Sequence, residues 1–244
     1  QPLPAAEKFI WPVFLREGAG VDEPINAMPG QSRMSADVLL NKLEPVVESG
    51  VGGVLLFGLT DSSKKDASGS EAFNDKGAVQ QAIPLIKNAF PGLTVFTDVC
   101  LCAYTDHGHC GPLTPSGEVD NDAALSFLQK VAVSHAQAGA DCVAPSAMMD
   151  GQVLAIREAL DDEELADTLL MSYSTKFASS LYGPFREAEQ STPGTGDRQG
   201  YQASYNDLRT ALRESELDEE EGADILMVKP ALMYLDVIQQ LRES

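Results

Sequence analysis

The sequence predicts an α/β protein of the (β/α)8 barrel class, on three observations. Short apolar runs alternate along the chain with longer amphipathic stretches. Most of those runs are continuous, as strands buried on both faces of a parallel sheet require. Three helical stretches end in a glycine that leads at once into the next run, the pattern of a left-handed C-cap feeding a strand. No Gly-x-Gly-x-x-Gly follows the first run, which argues against a dinucleotide-binding sheet and favours the barrel among right-handed βα arrangements.

Strand-like runs occupy residues 9–15, 51–57, 93–99, 141–145, 168–173 and 224–228. Ser35 stands as an N-cap before a helix that carries Val38, Leu39, Leu43, Val46 and Val47 at helical spacing. A second helix, at about 121–138, places Ala124, Leu125, Leu128, Val131 and Ala132 on one face. The glycine exits read Glu48-Ser49-Gly50-Val51, Ala138-Gly139-Ala140-Asp141 and Glu221-Gly222-Ala223-Asp224. These are six strands where a barrel needs eight, and the sequence stops at Leu241-Arg242-Glu243-Ser244 within a helical pattern. Residues 1–244 are therefore expected to form a single barrel domain without its last two βα units.

Hydrophobic residues make up 43% of the 244 and charged residues 22%, enough for a large core and too little charge for a disordered chain. Acids outnumber bases 37 to 17, a net charge of −20, which argues against nucleic acid or an anionic membrane as partner. The acidic runs at 161–164 and 218–221 read as solvated helix surface. No stretch reaches the roughly 18 apolar residues of a membrane span. The N-terminus, Gln1-Pro2-Leu3-Pro4, has no basic region leading into an apolar one. Four cysteines in this length are not a disulfide framework. A reducing compartment is expected: the cytoplasm by default, or a plastid after removal of a transit peptide.

The chemistry concentrates after the third run. Cys100, Cys102 and Cys110 form a C-x-C-x7-C cluster within eleven residues, interleaved with Asp106, His107 and His109 and preceded by Asp98. Three thiolates with an open fourth position suit a catalytic zinc, and the C-terminal end of a barrel strand is where such enzymes keep their sites. Cys142 lies inside the fourth run and reads as a small core residue, and His135 reads as having no special role. Lys176 and Lys229 each follow an apolar run. Alone, each would be a solvent-facing lysine; in a barrel both project at one mouth, where burial and a second ammonium lower a lysine pKa and leave an amine able to attack a carbonyl. Lys176 is followed by a segment rich in aromatics, Gly and Pro at 177–186, and Arg186 and Arg198 flank the polar, loop-like stretch 189–196; they suit a carboxylate clamp as well as they suit ordinary surface salt bridges.

These segments resemble the porphobilinogen synthase (5-aminolevulinate dehydratase) family. The resemblance rests on Asp98–Val-Cys-Leu-Cys-Ala-Tyr-Thr-Asp-His-Gly-His-Cys110, on Ala144-Pro-Ser-Ala-Met-Met-Asp-Gly151, on residues 171–186 and on Met227-Val-Lys-Pro230. Pro12-Val-Phe-Leu-Arg-Glu-Gly18 and Leu56-Phe-Gly58 agree as well. It implies a (β/α)8 barrel that condenses two molecules of 5-aminolevulinate into porphobilinogen with loss of two waters, in the biosynthesis of haem and chlorophyll. It further implies that Lys229 forms the Schiff base with the propionate-side substrate and that Lys176 holds the acetate-side one. Cys100, Cys102 and Cys110 match the ligands of the zinc-dependent branch. Arg186, Arg198 and Gln202 match lid positions on the acetate-side carboxylate, with Phe185 and Asp98 also at the substrate. Glu214 matches a glutamate associated with allosteric magnesium. A homo-octamer, built partly through an N-terminal arm that is mostly absent or shortened here, belongs to the same implication.

The chain departs from the family pattern at Ala147, where an Asp is usual, and in lacking the strands that bear a serine and a tyrosine for the propionate-side carboxylate. Two other readings stand beside this one. A one-lysine aldolase-like barrel explains Lys176 or Lys229 but has no use for three cysteines. An inactive fragment or homologue that binds zinc and associates with intact subunits is the other.

Overall fold

The computed structural model describes residues 4–194, 196–205 and 207–243. The long strands are β1 (Ile10–Arg16), β4 (Gly53–Leu59), β5 (Thr94–Val99), β6 (Cys142–Pro145), β7 (Leu169–Lys176) and β8 (Ile225–Lys229). Two short ones, β2 (Asp22–Pro24) and β3 (Ser32–Met34), form an antiparallel hairpin on the β1 edge. The helices are α1 (Ala36–Glu48), α2 (Ala78–Ala89), α3 (Asn121–Gln137), α4 (Gln152–Asp162), α5 (Gly183–Glu189), α6 (Leu208–Glu220) and α7 (Leu235–Glu243). Among the described residues no helix is long and apolar enough to cross a membrane.

Strand order decides between the two α/β architectures. It runs β2-β3-β1-β4-β5-β6-β7-β8, and each long strand lies parallel beside its predecessor. A doubly wound sheet reverses its order at a switch point; a barrel wall does not. The sheet is therefore barrel-like, as the sequence predicts. β8 pairs only with β7 among the described residues, and its side chains are half-buried or exposed.

The continuous apolar runs follow from two buried faces. Val54 and Leu56 of β4 pack with Val13, Leu15 and Val95 on the helix side. Leu55, Phe57 and Leu59 point the other way, joining Phe14, Phe96, Cys142, Ala144, Met171 and Tyr173 inside the curve of the sheet. Side-chain period in a strand is two, so every strand position is apolar when both faces are covered.

The Gly-Ala-Asp exits carry a second device. Gly139 and Gly222 take φ of 105° and 103°, ending α3 and α6 where a side chain would be strained. The following aspartate then grips the start of the neighbouring strand. Asp141 donates its N–H to Val95 O at 3.0 Å and accepts from Val95 N at 2.7 Å through Oδ2. Asp224 repeats this on Leu170, donating to its carbonyl at 2.9 Å and accepting from its N–H at 2.8 Å. Lys87 of α2 closes on the Asp141 carboxylate at 2.7 and 2.8 Å.

Two local expectations change. Ser35 does stand at the N-cap of α1, but its hydroxyl donates to Asp37 and accepts from Val21 N at 3.0 Å instead of capping the helix. The run at 218–221 is not all solvated surface: Asp218 is partly buried and accepts from Ser172 Oγ at 2.5 Å.

Asp141→Ala removes one strand clamp and the Lys87 pair from a partly exposed position, and is expected to cost about 1 kcal/mol. Urea unfolding checks this, with a lower midpoint and an unchanged m-value expected; an unchanged midpoint contradicts the clamp.

Candidate active site

β7 and β8 deliver the two lysines. β7 runs past the apolar segment because Ser174 and Thr175 are buried too, so Lys176 closes the strand instead of following it. Lys229 likewise closes β8, and the two are partners in the parallel register. Lys176 is 6% exposed and its Nζ donates to Ser146 O at 2.7 Å. Lys229 Nζ sits 3.9 Å from the centroid of the Phe185 ring, with Tyr173 at 5.2 Å, Tyr182 at 5.6 Å and Phe57 at 5.8 Å. Burial among these rings, and then the positive charge of Lys176, push the Lys229 amine down to about 8. Tyr182 donates to Lys229 O at 2.9 Å and pins the strand end.

The three cysteines fall in the loop after β5, all buried, with their sulfur atoms within 4.8 Å of one another and Cys100 to Cys102 at 3.4 Å. A tetrahedral ion with metal–sulfur bonds of about 2.3 Å spaces its sulfurs by about 3.8 Å. The donor set therefore fits a metal ion. Hydrogen bonds from Cys100 and Cys102, together with Arg198, hold Cys110 well below its ordinary value, while hydrogen bonding with Cys102 and Cys110 and burial push Cys100 well up. The interleaved imidazoles turn elsewhere: His107 Nε2 lies 3.2 Å from Ala67 O, and His109 Nδ1 lies 3.2 Å from the Tyr201 hydroxyl.

Two buried carboxyl groups face this assembly. Asp98 is pushed up to about 8 by burial and by Glu189, against the pull of Ser146 and Lys176. Glu189 rises to about 8 through burial and the charge of Cys102, opposed by Lys229, Lys176 and Arg198. Glu189 carries no signal of its own in the sequence, and Tyr173 and Ser146 are legible only as members of the segments that carry the resemblance. Glu189 opens a polar stretch that reads as loop, and α5 is too short to show a helical period. Ala147, 1% exposed in the same core cluster as the thiols, brings no carboxylate.

Arg186, Arg198 and Gln202 line one cavity of about 720 Å³ together with Ser179 and Tyr234. Arg186 Nε, Arg198 Nε and Gln202 Nε2 are buried donors without a partner, which is what a carboxylate-bearing ligand would satisfy. Arg198 is no surface residue: it is 4% exposed and donates to Gly108 O at 3.0 Å and Ser191 O at 2.5 Å. Glu214 lines a neighbouring cavity of about 400 Å³, which shares Gln202, with Asp150 and Asp218. Burial and the neighbouring acids raise Glu214, and burial takes Asp218 to about 6. His135 is fully buried, and neither ring nitrogen has a partner.

A sequence model of the family described as delta-aminolevulinic acid dehydratase matches residues 4–244. The chain belongs to the delta-aminolevulinic acid dehydratase family. The family member from Synechococcus elongatus is 48% identical over 239 residues, 97% of this chain and 73% of that protein. The Bacillus subtilis member is 46% identical over 236 residues, 97% and 72% of the two chains. A crystal structure of the delta-aminolevulinic acid dehydratase (porphobilinogen synthase) of Toxoplasma gondii, in complex with the reaction product porphobilinogen, matches with a TM-score of 0.96. That match is at 43% identity and covers 99% of this chain and 69% of that one. The α/β barrel fold of the dehydratase family is thus the fold of this chain.

Removing one of the three donors tests the thiol site. Cys102→Ala is expected to weaken the binding of a thiophilic divalent ion, probed with added zinc, by about a hundredfold, read by competition with a chromophoric chelator. Equal affinity in the two proteins contradicts the assignment.

Proposed function

We propose that this chain condenses two molecules of 5-aminolevulinate into porphobilinogen with loss of two waters, as a lyase of tetrapyrrole biosynthesis. The observation that carries this reading is the pair of lysines in register at the ends of β7 and β8, one of them held near 8, beside three clustered thiols.

Lys229 is the nucleophile. Its neutral Nζ adds to the ketone carbon of the propionate-side substrate, a carbon–nitrogen bond forms, and the former carbonyl oxygen leaves as water to give the Schiff base. Asp98, whose carboxyl holds its proton up to about 8, is a proton source for that departing oxygen. Lys176 holds the acetate-side substrate. Over the whole reaction one carbon–carbon and one carbon–nitrogen bond form between the two substrates, and both ketone oxygens are lost as water. Arg186, Arg198 and Gln202 bind the acetate-side carboxylate through their unpartnered donors, and Phe185 covers the Lys229 amine, excluding water. Cys100, Cys102 and Cys110 would hold zinc, which supplies a Lewis acid to the acetate-side substrate when bound. Glu214, with Asp150 and Asp218 around the same cavity, is the place for a regulatory magnesium. Homo-oligomeric assembly, octameric in the family, and a cytoplasmic location belong to this reading.

Reduction with borohydride in the presence of 5-aminolevulinate, followed by peptide mapping, tests it. A substrate adduct on Lys229 is expected, and Lys229→Ala is expected to lose both that adduct and porphobilinogen formation. Trapping that persists at undiminished yield in Lys229→Ala overturns the assignment.

A further inference from the structure

The steps above leave one buried carboxylate of the mouth unused. Glu189 is 4% exposed, and its Oε2 lies 3.7 Å from Cys102 Sγ. An ion bound tetrahedrally, with bonds of about 2.3 Å to sulfur and about 2.1 Å to oxygen, sets those two donors about 3.6 Å apart. The carboxylate thus already stands at ligand spacing from one member of the thiol cluster.

Its position is built by other elements. Glu189 is the last residue of α5, and that helix end is fixed by cations from two different segments. Arg33 of β3 donates from Nε to Ala188 O at 2.8 Å and from Nη2 to Glu187 O at 2.6 Å. Lys65 Nζ donates to Gln190 O at 2.9 Å. Cations at a helix C-terminus are in the favourable place, and here they hold the carbonyls on both sides of Glu189. Ser191 Oγ donates to Glu189 Oε2 at 3.1 Å, the kind of outer hydrogen bond that orients a ligating carboxylate. Three thiolates and a carboxylate around a divalent ion leave a net negative site.

We propose that Glu189 is the fourth protein donor to the divalent metal held by Cys100, Cys102 and Cys110, making a three-thiolate, one-carboxylate site. This rests on the metal reading of the thiols given above. The consequence is functional: the position that a three-donor site leaves to water or substrate is filled by a carboxylate, which a substrate oxygen must displace before the metal can act on it.

Cobalt(II) substitution of the whole chain tests the proposal with readouts independent of turnover. The native protein, Glu189→Gln and Glu189→Ala would each be loaded without oxygen. The sulfur-to-cobalt charge-transfer band reports the thiolates, the visible ligand-field bands report the donor set, and chelator competition gives the affinity. All three proteins are expected to keep the charge-transfer band. Both variants are expected to change the ligand-field bands and to bind at least about tenfold more weakly. Ligand-field bands and affinity unchanged in both variants overturn the role of Glu189 and leave the thiol site intact. Absence of the charge-transfer band in the native protein fails the metal reading itself, and the proposal with it.

Discussion

The site depends on one constraint, the parallel pairing of β7 with β8 that sets Lys176 opposite Lys229. Strand spacing of about 4.8 Å brings two long cationic side chains into one mouth whose walls are Tyr173, Tyr182, Phe57 and Phe185. Among these rings the charged form of Lys229 is poorly solvated, and the charge of Lys176 disfavours it further. Burial and repulsion together convert an ordinary lysine into an amine that is roughly half neutral near pH 8, where an unperturbed one is less than about one per cent neutral. Burial acts on the surrounding acids in the opposite sense: it holds the protons of Asp98 and Glu189 up to about 8, against the pull of the lysines. In a chain of net charge −20, the cations are gathered where the carboxylates of a substrate would arrive.

The scaffold earns that placement through small polar devices as much as through its core. Asp141 and Asp224 make the same two-point grip on the preceding strand, and the second of these grips fixes the start of the β7–β8 pairing, at the end far from the lysines. The hairpin of β2 and β3 looks peripheral, yet Arg33 carries its influence to α5. Through α5 it reaches Phe185, over one lysine, and Glu189, beside the thiols.

Legibility in the sequence followed from how each feature is encoded. The six long strands were readable because two apolar faces leave continuous runs. β2 and β3, three residues each and one ending in Pro24, have no such pattern. The thiols were readable by density, while the lysines gained meaning only when the barrel put both at one mouth. Arg198 suits a clamp or a surface position equally in the sequence; it is buried against the carbonyls of Ser191 and Gly108, the latter a contact across 90 residues that no local pattern encodes. Glu189 and Asp218 were hidden for the same reason, since acids in polar stretches look solvated until tertiary packing covers them.

The most direct test is the titration of Lys229 itself, followed by NMR of the selectively labelled amine in the native protein and in Lys176→Met. Because the folded pKa lies below the ordinary value, the neutral, nucleophilic form gains population as pH rises through that midpoint. The account predicts a native midpoint near 8 that moves upward in Lys176→Met, where the like charge is gone and the burial remains. A native midpoint at the ordinary lysine value of about 10.4, or one that Lys176→Met leaves in place, contradicts it.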